Sequence, residues 1–339
     1  MGEDMNDRAD PEGLAAYEPS RFEFATVADE IEYTLAFEDF RAALRERGTI
    51  RIHIRNLRPD QPSPPAELHP LARAVRNPEP ALRPVPIRGA GFVVHRVAEG
   101  VAFVQGPSVN WVVLEGEHGP VLVDTGYPAD DTAVRGSLKA LGHTVDELAA
   151  ILITHGHGDH IGNAAAYAHE ANCPVYTAAA EIPNVRRDIT EQITIPTLLP
   201  HILRRGVAAW ARHAIRAGGK NAPPVPDVQP LPDQPQQALG LDITAVPLPG
   251  HTRGHTGFLL PSAGVLIVGD ALVTAHPTSR TNGPQLLARM FHADPRQALR
   301  RLETLQDLEA TVLLPGHGPH LTISPRDAAT AATQTAFPY

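Results

Sequence analysis

Short apolar runs, separated by glycine, proline and other turn residues, follow one another along the chain from residue 89 onward. Runs of this length that are rich in valine, isoleucine and leucine predict short buried strands. We predict strands at 91–94, 101–104, 110–114, 121–123, 150–153, 175–177, 243–248, 265–268 and 311–314. Helical spacing recurs between them at about 131–141, at 163–171 and after Asp294-Pro295, where the aspartate suits an N-cap. Strands that alternate with helices indicate the α/β (or α+β) class.

A long helical stretch at 181–219 interrupts this alternation of strands and helices. Leu203, Val207, Trp210 and Ala214 recur at the spacing of one helix face, and arginines occupy the other face. We predict a helical insertion that packs on the domain, and a lid over a nearby site is the alternative. Its apolar side chains, Trp210 among them, would then form walls of that site.

The first 88 residues have a different texture from the rest of the chain. The first ~20 are polar and acidic, which is typical of a loosely attached segment. A helix is predicted at 31–47, a strand at 51–55 and a proline-rich linker at about 58–86. We therefore divide the chain into a partly disordered N-terminal extension, 1–88, a catalytic domain, 89–325, and a C-terminal tail, 326–339.

Composition narrows the class of protein. Apolar residues make up 42% of the 339, which is enough for a substantial core, and the net charge of −9 argues against a nucleic-acid partner. The single cysteine, Cys173, excludes an internal disulfide and a thiolate zinc site. No stretch approaches the ~20 apolar residues of a membrane span. We expect a cytoplasmic protein with a small-molecule substrate and neither a nucleic-acid nor a membrane partner, and a homodimer stays open.

Metal-binding side chains follow the ends of four predicted strands. The stretch "THGHGDH" at 154–160 packs three histidines and an aspartate directly after one strand, and single candidates follow three others. The full set is His155, His157, Asp159, His160, His251, Asp270 and His317. Such a cluster would be costly to bury unpaired, and it exceeds what one tetrahedral ion with an open position needs. The pattern therefore predicts a site for two divalent ions.

Five motifs carry a resemblance to a known family. They are "VLVDTGYP" at 121–128, "THGHGDHIGN" at 154–163, "PGHTRGHTG" at 249–257, "GDAL" at 269–272 and "LPGHG" at 314–318. Together they resemble the metallo-β-lactamase fold superfamily over about 89–320, and among its hydrolases they are most similar to the glyoxalase II-like branch. The resemblance implies an αββα sandwich, with two mixed sheets inside, helices outside and the metals at one edge.

The resemblance also implies roles for individual residues. His155, His157 and His251 would hold the first metal, Asp159, His160 and His317 would hold the second, and Asp270 would bridge them. Asp124 and Thr252 would fix the ligand loops by hydrogen bonds, and His255 would be structural rather than a ligand. Zn²⁺ is the expected metal, with iron or manganese as alternatives.

The implied reaction is hydrolysis of an ester-like carbonyl, such as a thioester or a lactone, by a hydroxide that bridges two metals. Asp159 would pass a proton to the leaving group. The alternatives are a mononuclear iron persulfide dioxygenase, a β-lactam hydrolase and a phosphodiester hydrolase. Substrate contacts are predicted for Arg253, Arg280, Asn282 and His292, of which the last three lie in a segment, 276–295, that is expected to border the pocket.

Overall fold

The computed structural model describes residues 86–204, 206–335 and 337, together with Glu3–Asp4 and His53–Ile54. The chain divides into two compact units, Met1–Leu82 and Arg83–Tyr339. In the first unit, Glu3–Asp4 and His53–Ile54 pair as antiparallel strands, so two residues of the predicted strand at 51–55 are extended. The predicted helix at 31–47 and the proline-rich stretch up to residue 85 lie outside the described residues.

The first sheet of the second unit has eight strands and positions the main ligand loop. Its strands are β1 (Ile87–Gly89), β2 (Phe92–Ala98), β3 (Val101–Gln105), β4 (Asn110–Gly116), β5 (Gly119–Val123), β6 (Ala150–Leu152), β7 (Val175–Thr177) and β8 (Gln229–Pro230). They lie in sequence order, antiparallel from β1 to β5 and parallel from β5 to β8.

The second sheet has five strands, also in sequence order. They are β9 (Thr244–Pro247), β10 (Thr256–Leu260), β11 (Val265–Gly269), β12 (Val312–Pro315) and β13 (Leu321–Thr322). β11 and β12 are parallel, and the other neighbours are antiparallel. The strand β10 has no counterpart among the predicted strands.

The second unit has eight α-helices among its described residues, and four of them cover the outer faces of the sheets. The helices are α1 (Asp131–Leu141), α2 (Ala164–Ala171), α3 (Ile182–Val185), α4 (Ile195–Leu198), α5 (Val207–Arg216), α6 (Pro235–Leu239), α7 (Pro295–Leu305) and α8 (Pro325–Gln334). α1 and α2 pack on the first sheet, and α7 and α8 pack on the second. The predicted αββα sandwich is confirmed. Among the described residues, no helix combines the length and the apolar character that crossing a bilayer requires.

The core between the sheets explains why the strands are apolar throughout. In β3, Val101 and Phe103 face the second sheet, whereas Ala102 and Val104 face the helices. Successive strand residues point to opposite faces, so a strand with a packed layer on each side needs apolar residues at every position. From the second sheet, Phe258 fills the layer between the sheets and is almost completely buried.

Phe258→Ala is expected to destabilise the fold by about 3–5 kcal/mol, because it removes a buried ring and leaves a cavity between two sheets. Chemical denaturation with guanidinium measures the change. Leu203→Ala, at an exposed position, is the control and should change the stability by less than about 0.5 kcal/mol. Equal effects of the two substitutions would contradict this account of the core.

Two sequence predictions need correction. Leu203 does not share a helix face with Val207: α5 begins at Val207, after Gly206 with φ +79°, and Leu203 is exposed before that turn. The predicted tail at 326–339 is wrong for residues 326–334, because α8 buries Ala328, Ala329 and Ala332 against the second sheet. These alanines have the spacing of one helix face, so the segment belongs to the domain.

Candidate metal centre

The ligand-bearing loops follow β6, β9, β11 and β12, and the structure brings their candidate side chains into two groups. The first group is His155, His157, His251 and Asp270, and the second is Asp159, His160 and His317. In each group the potential ligand atoms lie within 4.8 Å of one another, and either group could hold a metal ion. These groups contain the same seven residues that the strand-end pattern singled out.

The carboxylate of Asp270 lies between the two groups. Its Oδ2 is 3.4 Å from Nε2 of His251 and 3.3 Å from Nε2 of His317, and its Oδ1 is 3.6 Å from Nε2 of His160. The residue is buried at the end of β11. A carboxylate in this position can be shared by cations in both groups.

Three unpartnered polar atoms test whether these residues fit a metal. Nε2 of His155, Nε2 of His160 and Oδ1 of Asp270 are buried without any hydrogen-bond partner. Buried polar atoms are costly to leave unpaired, and three that converge with lone pairs on nitrogen and oxygen fit the coordination of a cation. Imidazole and carboxylate ligands without thiolate suit zinc and neighbouring divalent metals. The residues present therefore fit the metal site that the sequence predicts.

Hydrogen bonds to the other ring nitrogens set the histidine tautomers. Nε2 of His157 donates to the Glu191 carbonyl at 2.8 Å, so Nδ1 of His157 carries no proton and lies at hydrogen-bond distance, 3.0 Å, from Nε2 of His251. Nδ1 of His317 donates to the Ser108 carbonyl at 2.7 Å, which leaves its Nε2 bare. Such bonds orient a ligand ring and increase the basicity of the nitrogen that remains free.

The electrostatics of the site also favour a bound cation. Burial lowers the pKa of His155 and of His251 well below the ordinary value, so both imidazoles are neutral. Burial also works to lower the pKa of His160, but the nearby carboxylates of Asp124, Asp270 and Asp159 raise that pKa to about 10. The same negative charge would stabilise a divalent ion.

Asp124 anchors the start of the ligand loop. Its carboxylate accepts hydrogen bonds from the Thr154 amide at 2.9 Å, the Thr154 hydroxyl at 2.8 Å and Nδ1 of His160 at 2.8 Å. The backbone φ of Asp124 is +61°, a left-handed conformation that is costly for a residue with a Cβ. These contacts compensate for that strain. They also hold the His160 ring so that its free Nε2 faces Asp270.

Glu181 ties two ligand loops together, and the sequence analysis did not single it out. Its buried carboxylate accepts hydrogen bonds from the Gly156 amide at 2.8 Å, the Thr252 hydroxyl at 2.8 Å, the Gly254 amide at 2.8 Å and the Asn184 side chain at 2.6 Å. Burial raises the pKa of Glu181, and these four bonds oppose the rise. An isolated glutamate in an alanine-rich connection offers no motif that could have revealed this role.

Glu181→Gln is expected to weaken metal binding by about 10–100-fold. An amide cannot accept four hydrogen bonds, because its NH₂ group would face the donors that now meet a carboxylate oxygen. Competition with a chromophoric chelator measures the affinity, and Glu303→Gln on the exposed side of α7 is the matched control. Unchanged affinity in Glu181→Gln would show that the loops keep their positions without this carboxylate.

His255 and two glycines support the site without binding a metal. Nε2 of His255 accepts the backbone N–H of Asp270 at 3.0 Å, so this nitrogen positions Asp270 and is not free for a ligand. A Cβ at Gly158 would overlap the Gly219 carbonyl oxygen, and one at Gly316 would overlap Oδ1 of Asp270. The backbone φ of Gly158 is not positive, so turn geometry does not require glycine there. Glycine is required because the Gly219 carbonyl comes too close to leave room for a Cβ.

A cavity of about 420 Å³ opens onto both groups. It reaches His157, Asp159, His251, Asp270 and His317. Its walls are mainly apolar. The insertion supplies Ile193, Ile195, Leu198, Trp210 and Ile215, and the segment 276–295 adds Leu287 and Phe291. Tyr127, Lys220 and His276 add polar atoms. The insertion therefore covers the metal centre and supplies its apolar wall.

None of the four predicted substrate contacts is among the residues that line this cavity. Arg253 is 74% exposed and pairs with Glu191, and Arg280 and Asn282 are exposed. His292 is buried, and its Nε2 donates to a backbone carbonyl at 2.9 Å. Proximity in sequence to the ligands was the signal for these residues, and it does not fix the direction of a side chain.

His276, Leu287 and Phe291 are the members of segment 276–295 that do line the cavity. Nδ1 of His276 lies 2.7 Å from the Thr278 hydroxyl, and burial lowers the pKa of His276 to about 3, so the ring is neutral. The segment borders the pocket as predicted, but through other side chains than those named.

A four-layer αββα sandwich with two metal-fitting His/Asp groups under a cavity defines a metal-dependent hydrolase. The chain belongs to the metallo-beta-lactamase superfamily, whose family model matches residues 104–317. This match covers more than half of the chain and includes all seven candidate ligands. The family that the sequence motifs resemble is thereby confirmed.

Relatives and solved structures agree with this membership. The probable metallo-hydrolase YflN of Bacillus subtilis is 28% identical over 69% of this chain and 88% of its own length. A hydroxyacylglutathione hydrolase of Albidiferax ferrireducens is 27% identical over 58% of this chain and 56% of its own length. The crystal structure of a metallo-beta-lactamase family protein from Thermus thermophilus is 25% identical, with a TM-score of 0.50, and the match covers 67% of this chain and 73% of that one.

Proposed function

We propose that this chain hydrolyses an ester-like carbonyl, in a thioester, a lactone or a related small molecule, at a site for two divalent ions, with zinc as the first choice. The observation that carries the proposal is the apolar cavity that ends at both His/Asp groups. Its volume of about 420 Å³ lies in the range of small-molecule pockets. An acyl group fits the apolar walls while its carbonyl reaches the polar end.

The two groups support a dinuclear site. Each has at least three potential ligands, and the Asp270 carboxylate lies near histidines of both, with Oδ2 close to His251 and His317 and Oδ1 close to His160. When bound, a pair of divalent ions would lower the pKa of a water molecule and polarise a substrate carbonyl. The chain's part is to hold the ligands rigidly, to exclude bulk water with the insertion and to move the proton.

We assign the movement of that proton to Asp159. It lines the cavity, and its Oδ2 is 3.5 Å from Nε2 of His317. Burial and the Asp159 carboxylate, which accepts a hydrogen bond from Tyr127, hold the pKa of that phenol well above its ordinary value. The phenol therefore stays a donor that orients Asp159, and the carboxylate can accept a proton from water and deliver it to the leaving group.

One relative supports the carbonyl chemistry, because it is named a hydroxyacylglutathione hydrolase, and the bond in an acylglutathione is a thioester. The probable metallo-hydrolase supports only the broader class of metal-dependent hydrolases. The apolar cavity points to an acyl part that is less polar than a hydroxyacyl group. For that reason we propose the thioester or lactone class and not the glutathione thioester itself.

A substrate panel on metal-replete protein tests the proposal. Thioesters and lactones with apolar acyl groups should be turned over, whereas β-lactams and phosphodiesters should not, and His157→Ala should lose the activity. Metal analysis should give about two zinc ions per chain. About one iron per chain, with oxygen consumption on a thiol persulfide, would instead identify the persulfide dioxygenase alternative.

A further inference from the structure

We propose that the insertion docks the mouth of the cavity onto an anionic lipid surface. The docking surface consists of the exposed apolar side chains of segment 189–215 and of the cations around them. The inference goes beyond the hydrolase activity, and it concerns where the substrate enters.

The exposed apolar side chains are concentrated in one segment. Among the described residues, the exposed large hydrophobics are Ile189 (37%), Ile195 (53%), Leu199 (59%), Leu203 (98%) and Ile215 (61%). All of them fall within 27 consecutive positions, 189–215, although the described part of the chain covers about 250 residues. Scattered exposed apolar residues are ordinary, but a concentration of this kind marks an interaction surface.

The charge of this part of the chain is opposite to that of the whole. Segment 189–215 has three arginines and one carboxylate, Glu191, which pairs with Arg253. The overlapping stretch 192–226 contains five of the 29 Lys and Arg residues and none of the 38 Asp and Glu residues, in a chain with a net charge of −9. Arg212, Arg216 and Lys220 are exposed, and no carboxylate of the described residues lies within ion-pair distance of them. A cationic surface with apolar residues matches the charge and the interior of an anionic bilayer.

The surface is continuous with the cavity. Ile195 and Ile215 line the cavity and are also more than half exposed, so they stand at its mouth. On α5, Val207 and Ala211 face inward, and Arg212 and Arg216 occupy the opposite side of the helix. A second copy of this chain on the surface would close the mouth, whereas a lipid surface would leave it open to apolar molecules dissolved in the bilayer.

The surface requires no membrane-spanning helix. Peripheral binding needs only apolar side chains that enter the outer ~5–10 Å of the bilayer, together with nearby cations. The expectation of no membrane partner rested on the lack of a spanning segment, and this proposal replaces it.

Co-sedimentation of the full chain with vesicles tests the proposal. Binding to phosphatidylcholine vesicles that contain roughly 30% phosphatidylglycerol should be at least about tenfold tighter than binding to pure phosphatidylcholine, and it should weaken as salt rises. Leu199→Asp with Leu203→Asp, and separately Arg212→Glu with Arg216→Glu, should each lose about tenfold or more. Arg300→Glu with Arg301→Glu on α7, also exposed, is the matched charge control and should bind as the unmodified chain does.

Equal binding to both vesicle types, or equal loss in the control variant, would overturn the proposal. Light scattering tests the other occupant, a second copy of this chain. If the unmodified chain is a dimer that does not bind vesicles, and if Leu199→Asp with Leu203→Asp makes it a monomer, the surface is a dimer interface and the proposal is wrong. Neither of these leucines lines the cavity, so hydrolysis of a short soluble substrate without vesicles should be unchanged. Failure of docking is therefore distinguishable from failure of the proposed hydrolysis.

Discussion

Asp270→Ala is expected to remove metal from both His/Asp groups and to lower kcat/KM by about 10³-fold or more. Of the two candidate carboxylate ligands, both of which the structure describes, Asp270 alone has oxygens within 4 Å of histidine nitrogens in both groups. Without it, the histidines of the first group would face a divalent cation with no anionic ligand. A bound metal stabilises the transition state by several kcal/mol, and loss of that stabilisation corresponds to the expected ~10³-fold fall in kcat/KM.

The measurement is metal content after dialysis, combined with steady-state kinetics on the substrate found in the panel. Asp307→Ala, an exposed aspartate, is the control and should retain both metal and activity. Thermal melting separates the site from the fold: the variant should melt as the metal-free unmodified chain does, because the backbone N–H of Asp270 still meets His255. If Asp270→Ala keeps its full metal content, Asp270 is not a ligand that the two groups share.

The sequence predicts best those site residues that directly follow the end of a strand. His155, His251, Asp270 and His317 each come within a few residues of a buried apolar run, and strands of one layer end along a common edge. The pattern of apolar residues predicts the strands. A residue that directly follows a strand must lie at the end of that strand, so the position of each ligand follows. The αββα layers came instead from the resemblance of the motifs to a known family, because the alternation of strands and helices indicates only the α/β (or α+β) class.

Residues on connections were not predictable in this way. Glu181 bonds a ligand loop that is distant in sequence, and His276 lines the cavity, but both depend on how the chain folds. No local sequence pattern marks either residue. Arg253 illustrates the converse, because it adjoins His251 in sequence but turns outward to Glu191. The strand β10 was not predicted because its first two residues, Thr256 and Gly257, belong to the motif "PGHTRGHTG" and leave an apolar run of only three residues.

Asp159→Asn is expected to retain metal and substrate binding but to lower kcat by about 10²–10⁴-fold, the usual contribution of a positioned general acid–base group. Asparagine has nearly the same shape and keeps one oxygen that can face the second group, so the geometry with His317 is preserved. It cannot accept the proton that hydrolysis releases. KM should change little, because the cavity walls that bind the acyl group are untouched.

Steady-state kinetics and metal analysis of the same preparation measure this prediction. Asp188→Asn, an exposed carboxylate in the insertion, is the matched control and should behave as the unmodified chain does. If Asp159→Asn loses metal along with activity, the residue acts mainly as a ligand; if it keeps both, the proton passes through another group. A fall in kcat at constant metal content and constant KM is the result that assigns the proton to Asp159, because a ligand or a binding residue would change one of the other two quantities.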